Sequence, residues 1–288
     1  MRVLVTGGAG FVGTNLIKRL LKDGHEVVSL DNYSTGKKEN EQDGCLYYDY
    51  DLSYNYIRDD GDRYDVIFHI AALARIQPSL KNPYKTISNN FVSTLNILEY
   101  ANNNNTPVVF SGSSTFHHGL WGSPYAWSKY AGEQLCELYT KVYDLPTAIC
   151  RFYNVYGEHQ LENGAYATVV GIFEKQFRDD KPLTLTGDGE QRRDFTHIDD
   201  IVDGLVRCGN GLLDEAFSVI SGQAYELGRG KNFSINELAD MFGKDYPKEY
   251  ISARGGEYPF TLADYTKAKD ELGYNPTLDI KDYIENII

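Results

Sequence analysis

An α/β fold, with a doubly wound parallel sheet followed by a smaller C-terminal substrate-binding lobe, is what this sequence predicts. Two observations carry the prediction. Short β-rich runs alternate with helical ones as far as Gly157, and the chain opens on strand, glycine turn, helix and a strand ending in an acid. Residues 2–6 are the first strand. Gly7, Gly8, Gly10 and Gly13 make the turn. Residues 14–24 read as a helix, because Leu16, Ile17, Leu20 and Leu21 share a face and Gly24 stands where a helix closes. The second strand runs from Val27 to Asp31. Residues 45–51 and 65–72 follow as strands three and four, then a long helix over 83–104 with Ile87, Phe91, Leu95 and Leu98 on one side. A fifth strand at 107–111, a helix at 124–143 and a sixth strand at 145–151 complete the alternation. Beyond Gly157 the pattern loosens into helices near 168–178, 199–208 and 234–242, a turn at Gly187-Asp188-Gly189, and one strand at 224–228. Residues 1–157 are therefore expected to form the sheet domain. Residues 158–288 are expected to form mainly the lobe, with some segments returning to the sheet.

Strand, glycine turn, helix, strand and acid in this register make the dinucleotide-binding unit of a Rossmann-type sheet. Glycines let the backbone turn tightly and approach a pyrophosphate, whose charge sits at the helix N-terminus where amides are unpaired. Asp31 is suited to accept hydrogen bonds from an adenosine ribose and to repel a 2′-phosphate. Asn32 and Tyr33 follow it and no arginine adjoins it, so NAD(H) is expected rather than NADP(H).

The net charge of −13 and a pI near 4.9 exclude nucleic acid and anionic membranes as broad partners. An anionic substrate would need a local cluster of arginines. Cys45, Cys136, Cys150 and Cys208 have neither metal-ligand spacing nor a paired framework, so no metal site is expected and the cysteines read as reduced in a cytoplasmic protein. The first strand begins at residue 2, which leaves no room for a signal peptide, and no apolar run spans a bilayer. The 23 tyrosines carry no functional reading at this level.

Tyr125-Ala126-Trp127-Ser128-Lys129 opens the helix after the fifth strand, and a Tyr and Lys four apart share a helical face. A nearby ammonium favours the phenolate and fits a tyrosine for acid/base work near neutrality. Tyr33 with Lys37 and Tyr265 with Lys269 have the same spacing, so spacing alone does not choose. Context does. Tyr125 starts a helix at the C-terminal edge of the sheet, and only it follows a hydroxyl cluster, Ser111-Gly112-Ser113-Ser114-Thr115. A plain turn is the bland reading of those serines. Arg193 follows a glycine turn and Arg254 precedes Gly255-Gly256, so both are expected to reach from loops into a cleft, where a guanidinium suits phosphate. Either alone reads more readily as half of a surface ion pair.

With these residues in order, the chain resembles the extended short-chain dehydrogenase/reductases of the nucleotide-sugar epimerase/dehydratase group, closest in pattern to UDP-sugar 4-epimerases. The matching segments are Thr6 to Gly13, Asp31 to Gly36, Asp51-Leu52, His69 to Ala74, Asn90 with Ser93 to Asn96, Tyr125 to Lys129, Arg151 to Gly157, Gly187 to Asp200 and Ala263-Asp264. The resemblance implies NAD held by Gly7, Gly10, Phe11, Val12, Gly13, Asn90, Ser111, Tyr125, Lys129 and Phe152. It implies Asp31, Asn32, Ser34, Thr35 and Gly36 at the adenosine ribose, Asp51 and Leu52 at the adenine, and Ala71, Ala72 and Ala74 along the pyrophosphate and ribose. Ser113 matches the catalytic Ser/Thr, Tyr125 the base and Lys129 the lysine at the nicotinamide ribose. Asn154, Arg193, Arg254 and Glu257 match positions that hold the nucleotide diphosphate or its ribose, and Leu185 and Thr186 those whose backbone meets uracil. The substrate implied is a nucleotide sugar, UDP-linked, and the assembly a homodimer paired through the helices at 83–104 and 124–143.

The departures narrow the chemistry. Ser114 and Thr115 stand where dehydratases of this group have two acids, a decarboxylating relative's glutamate is missing there, and Ser113 replaces the cysteine of reductive epimerases. Plain 4-epimerisation is therefore expected, with Tyr125 and Ser113 handling the 4-hydroxyl proton during a transient oxidation. A dehydratase, decarboxylase or reductase is the alternative enzyme, and a catalytically silent NAD(H)-binding regulator the alternative outside catalysis. The stretch from Phe116 to Gly122 is shorter than in the group and bears on what covers the sugar, while His117 and His118 read as exposed loop histidines. Thr261 falls where a small residue would admit an N-acetylated sugar, and a uronic acid sugar stays open.

Overall fold

The computed structural model describes residues 1–57, 63–117, 119–214, 217–256 and 258–288. The strands are β1 (Arg2–Thr6), β2 (Glu26–Asp31), β3 (Cys45–Asp49), β4 (Val66–His69), β5 (Val108–Ser113) and β6 (Thr147–Phe152). There follow β7 (Val155–Tyr156), β8 (Leu183–Thr186), β9 (Arg192–Asp194), β10 (Thr196–His197), β11 (Gln223–Leu227), β12 (Asn232–Ser234) and β13 (Lys248–Ile251). The helices are α1 (Phe11–Lys22), α2 (Ile76–Lys81), α3 (Pro83–Asn104), α4 (Pro124–Tyr143) and α5 (Val169–Arg178). Then come α6 (Ile198–Leu213), α7 (Phe217–Ile220), α8 (Ile235–Asp240), α9 (Thr266–Leu272) and α10 (Ile280–Glu285).

Seven strands form one sheet in the order β11-β6-β5-β4-β1-β2-β3, with every pairing parallel. This is a Rossmann-type doubly wound sheet. The winding reverses between β1 and β4, and their C-terminal ends part there to open a crevice. Along β1 the side chains alternate between faces: Val3 and Val5 pack with α1 and α6, while Leu4 packs with α3 and α4. Both faces of the central strands β1, β4 and β5 are covered and their residues are almost all buried, while the edge strand β3 leaves Leu46 and Tyr48 exposed. A third cluster, including Phe173, Leu183, Phe195, Leu238 and Ile284, forms the core of the C-terminal lobe. Among the described residues no helix is long and apolar enough to cross a membrane.

The element ends show where local signals yield to tertiary ones. Helix α1 begins at Phe11, inside the glycine turn, with Gly10 as its cap. Strand β4 stops at His69, because the amides of Ile70 and Ala71 turn to the Thr6 hydroxyl, at 3.2 and 3.1 Å, and leave the ladder. Helices α3 and α4 each start on a side-chain cap and a proline, Asn82-Pro83 and Ser123-Pro124. Helix α6 runs through Gly204 and Gly209 to Leu213, beyond the expected 199–208. Its glycines serve close packing: a methyl on either would come within 2.6 Å of Leu227 or Phe68. The tyrosines also find a use. Tyr100, Tyr153, Tyr156, Tyr225 and Tyr274 are among the largest fully buried side chains, and the hydroxyls of Tyr153 and Tyr225 donate to Glu226 and Glu271 at 2.8 and 2.7 Å.

Candidate functional site

A cleft of about 500 Å³ occupies the crevice between β1 and β4 and extends under the lobe. At one end the glycine turn is shaped for close approach. Gly7 has φ +74°, and a methyl on Gly13 would sit 2.1 Å from the Gly7 carbonyl oxygen. No side chain caps α1, so its first amides stay available to an anion. Asp31 ends β2 beside them, its carboxylate accepting from the amides of Ala9 at 2.9 Å and Tyr33 at 2.8 Å. Burial pushes its pKa up, and those two amides oppose the rise. Each oxygen keeps a lone pair for a ribose hydroxyl. Asn32 donates to Asp51 at 2.9 Å, and Ser53 adds two more bonds; burial works against Asp51, but these donors hold its carboxyl below the usual range. The cradle that a side chain at Gly7 or Gly13 would fill, the uncapped helix and the acid together fit a dinucleotide such as NAD.

The middle of the cleft holds Ser113 at the end of β5 and Tyr125 and Lys129 on the first turns of α4. Burial pushes the Tyr125 phenol above its ordinary pKa, opposed by a hydrogen bond with Ser113 and by the charge of Arg75. Lys129 differs from the sequence expectation. Its ammonium donates to the Ser111 carbonyl at 2.6 Å and the Ser111 hydroxyl at 3.0 Å, and the cation acting on the phenol is Arg75. Burial lowers the Lys129 pKa to about 8. Behind Ser113, Glu133 and Arg151 make a buried ion pair at 2.8 Å, and the Arg151 guanidinium lies 3.4 Å from the centre of the Phe116 ring. Glu133 also takes a hydrogen bond from the Ser113 backbone, which fixes the strand end that carries the hydroxyl.

The lobe supplies the other wall with Asn154, Thr186, Gln191, Arg193 and Arg254. Arg193 lies on β9, not on a loop, and donates to the Tyr258 carbonyl at 2.8 Å. Arg254 stands on the loop after β13. Asn154, held at φ +26°, donates to Asp194 and Thr261.

The cleft thus gathers Gly7, Gly10, Phe11, Val12, Gly13, Asp31, Asn32, Ser34, Thr35, Asp51, Leu52, Ala71, Ala72, Ala74, Ser111 and Phe152 with the residues just named. Three anticipated residues are not on its wall. Gly36 faces Ala9, Asn90 clamps the Leu73 backbone at 2.8 Å and bonds Ser128, and Leu185 is wholly buried in the lobe core. Glu257 and His118 lie outside the described residues. Thr261 is also off the wall, because its hydroxyl serves Asn154 and the Asp194 amide. The described residues of the 116–122 stretch do not line the cleft either. Tyr258 packs on it, bonding the Gly119 carbonyl at 2.9 Å, and His117 pairs with Glu226. Neither Tyr33 nor Tyr265 reaches the cleft. Arg75, Tyr166 and Gln191 line it without having been singled out. Arg75 directly follows the matched segment ending at Ala74 and was the one basic residue there to read.

Residues 3–228 match the family model described as the NAD dependent epimerase/dehydratase family. The chain is 31% identical over 307 residues to a putative UDP-glucose 4-epimerase of Methanocaldococcus jannaschii, covering 99% of this chain and 97% of that one. Two solved structures superpose over nearly the whole fold. The UDP-glucuronic acid 4-epimerase of Bacillus cereus, in complex with UDP-glucuronic acid and NAD, gives a TM-score of 0.87 at 30% identity, covering 99% and 97% of the two chains. The UDP-glucose 4-epimerase of Thermotoga maritima, with UDP-glucose, gives 0.88 at 28% identity, covering 99% and 96%.

Proposed function

The chain belongs to the NAD-dependent epimerase/dehydratase family, and on that premise we propose that it inverts C4 of a UDP-linked sugar by transient oxidation to a 4-keto intermediate. The observation that carries this reading is the pairing of Ser113 and Tyr125 midway between the glycine turn and the lobe arginines, Arg193 and Arg254. Hydroxyl chemistry sits between a dinucleotide end and a diphosphate end.

Bound NAD supplies a hydride acceptor that gives the hydride back. In this reading the Tyr125 phenolate, favoured by the Ser113 hydrogen bond and the Arg75 charge against the effect of burial, takes the 4-hydroxyl proton and returns it when the carbonyl is reduced. Thr115 donates its hydroxyl to Ser113 Oγ at 3.0 Å, which turns the Ser113 proton toward the cleft. Lys129, anchored on Ser111, faces the nicotinamide ribose. Arg193 and Arg254 clamp the diphosphate, with Asn154 beside them, while the sugar turns over between the two oxidation states. Residues 1–157 then carry NAD, and residues 158–288 carry most of the nucleotide-sugar contacts. The same reading makes the protein a cytoplasmic homodimer joined through α3 and α4, where Leu138, Val142 and Tyr143 are exposed.

The test is an NMR time course of the NAD-loaded protein with UDP-glucose, UDP-N-acetylglucosamine and UDP-glucuronic acid, each separately. Appearance of a C4 epimer without net change in NADH absorbance is expected. Accumulation of a 4-keto product, or steady consumption of NADH, would replace the epimerase reading with a dehydratase or a reductase.

A further inference from the structure

One cation in the cleft touches no group of the nucleotide sugar in the chemistry above, although its charge acts on the Tyr125 phenol. Arg75 reaches the wall from the residue before α2. Its Nε donates to the Tyr166 carbonyl at 3.1 Å and its Nη1 to the Ala74 carbonyl at 3.2 Å. Both acceptors are neutral. Among the described residues no carboxylate pairs with it, and Nη2 has no protein partner. The two carbonyls hold the guanidinium on the cleft wall and leave the Nη2 N–H groups without a protein acceptor.

The other charged side chains on the wall are accounted for. Asp31 and Asp51 belong to the adenosine end, Lys129 is bound to Ser111, and Arg193 and Arg254 stand across on the lobe. Burial draws the Arg75 pKa below its ordinary value, and the Tyr125 phenol is the group that pulls it back. That mutual influence puts the guanidinium in the part of the cleft where the sugar reacts. Tyr125 acts on it through charge and makes no hydrogen bond to it, its own partner being Ser113, so the Nη2 N–H groups are left for a ligand. A half-buried cation whose acceptors are all neutral is completed when a ligand brings the anion. On a nucleotide sugar the diphosphate is spoken for by the lobe. The remaining carbon that bears an anion in common sugars is C6, as a carboxylate, one carbon beyond C5 and so close to the reacting C4. A guanidinium with its Nη2 donors unused matches a carboxylate and gains little from a neutral hydroxymethyl group.

We infer that Arg75 reads a carboxylate on the hexose and makes a UDP-linked uronic acid the preferred substrate. This rests on the nucleotide-sugar reading above and adds the class of sugar.

The experiment compares kcat/KM for UDP-glucuronic acid and UDP-glucose in the NAD-loaded wild type, Arg75→Met and Arg75→Lys, with the melting temperature of each variant as the folding control. The readout is the ratio of the two substrates, which cancels any loss common to both. The wild type is expected to favour the uronate by about a hundredfold, the Met variant to lose most of that preference, and the Lys variant to recover part of it. Calorimetric titration with UDP-glucuronic acid should show the same order in binding. A wild type that prefers UDP-glucose would overturn the inference and leave 4-epimerisation standing. Equal losses on both sugars in Arg75→Met would also overturn it, reducing Arg75 to a residue that tunes Tyr125. Inactivity toward every UDP-sugar would sink the nucleotide-sugar reading and this inference with it.

Discussion

Tyr125 and Lys129 share one helical face, yet burial drives them apart chemically. The phenol is raised and the ammonium lowered, each toward its neutral form. Tyr125→Phe keeps the packing and removes the hydroxyl; turnover should fall at least about a thousandfold while NAD affinity stays within about threefold. An active Phe variant would remove Tyr125 from the chemistry. Lys129 makes a claim about stability. Its folded-state pKa is about 8 against an ordinary 10.5, so the unfolded chain holds the proton more tightly between those values. Stability from this group therefore grows as pH rises from about 8 to 10.5, and below 8 the buried charge is a net cost. Lys129→Met should melt at the same temperature or higher at pH 7, although it loses activity, and that advantage should shrink by pH 10. A fall of more than about 5 °C at pH 7 would mean that the bonds to Ser111 outweigh the buried charge. Residue types and spacing made the Tyr-Lys pair legible in the sequence. What spacing could not give was the partner of each group. That Lys129 turns to Ser111, and that Arg75 is the cation facing the phenol, depends on how the β4 exit and the start of α4 meet across the cleft.

At the scale of elements, the β1 turn and α1 carry the most local information. Gly10 and Gly13 are tied to the Gly7 carbonyl within the same turn, so that part of the motif stands in the sequence almost as it stands in space, while Gly7 is held by Ala71 beyond β4. Gly13→Ala would push a methyl to 2.1 Å from the Gly7 carbonyl oxygen and force the turn open. NAD affinity should drop more than about tenfold in a titration, and an unaltered affinity would show that the turn does not hold the cofactor. The helices at 83–104 and 124–143 were legible to the residue, because Asn82-Pro83 and Ser123-Pro124 write their starts and left-handed Asn105 and Asp144 their ends. The lobe strands were not. β7, β9, β10 and β12 have two or three residues each, too short for any period. They are set by long-range bonds, such as the Asp194 carboxylate accepting the amides of Arg229, Gly230 and Ala263 at 2.9, 2.9 and 3.0 Å. α6 was cut short in the reading for a related reason: its glycines look like breakers until the sheet beneath them is known.

Across the whole molecule the proposed function assigns two chemistries to the two walls of the cleft, the sheet side to the dinucleotide and the lobe side to the substrate. The two ligands are therefore separable by mutation. Arg193→Met should weaken UDP binding by at least about tenfold and leave NAD binding unchanged, both measured by calorimetry. A parallel loss of NAD would place Arg193 at the cofactor. NAD at a hundred times its dissociation constant should stabilise the fold by about 2.7 kcal/mol, read as a rise in melting temperature that Gly13→Ala abolishes. The acidic whole with its few cleft arginines also follows from this layout. A protein of net charge −13 binds an anion only where guanidinium groups are concentrated, and among the described residues Arg75, Arg193 and Arg254 line the cleft.

The central claim is that C4 loses a hydride and regains the same one. The most direct measurement uses a UDP-sugar carrying deuterium at C4, followed by NMR and mass spectrometry in ordinary water with the NAD-loaded protein. Transient oxidation predicts that both epimers keep the deuterium at C4 through many turnovers. Epimers that form with the label lost to solvent would contradict the account.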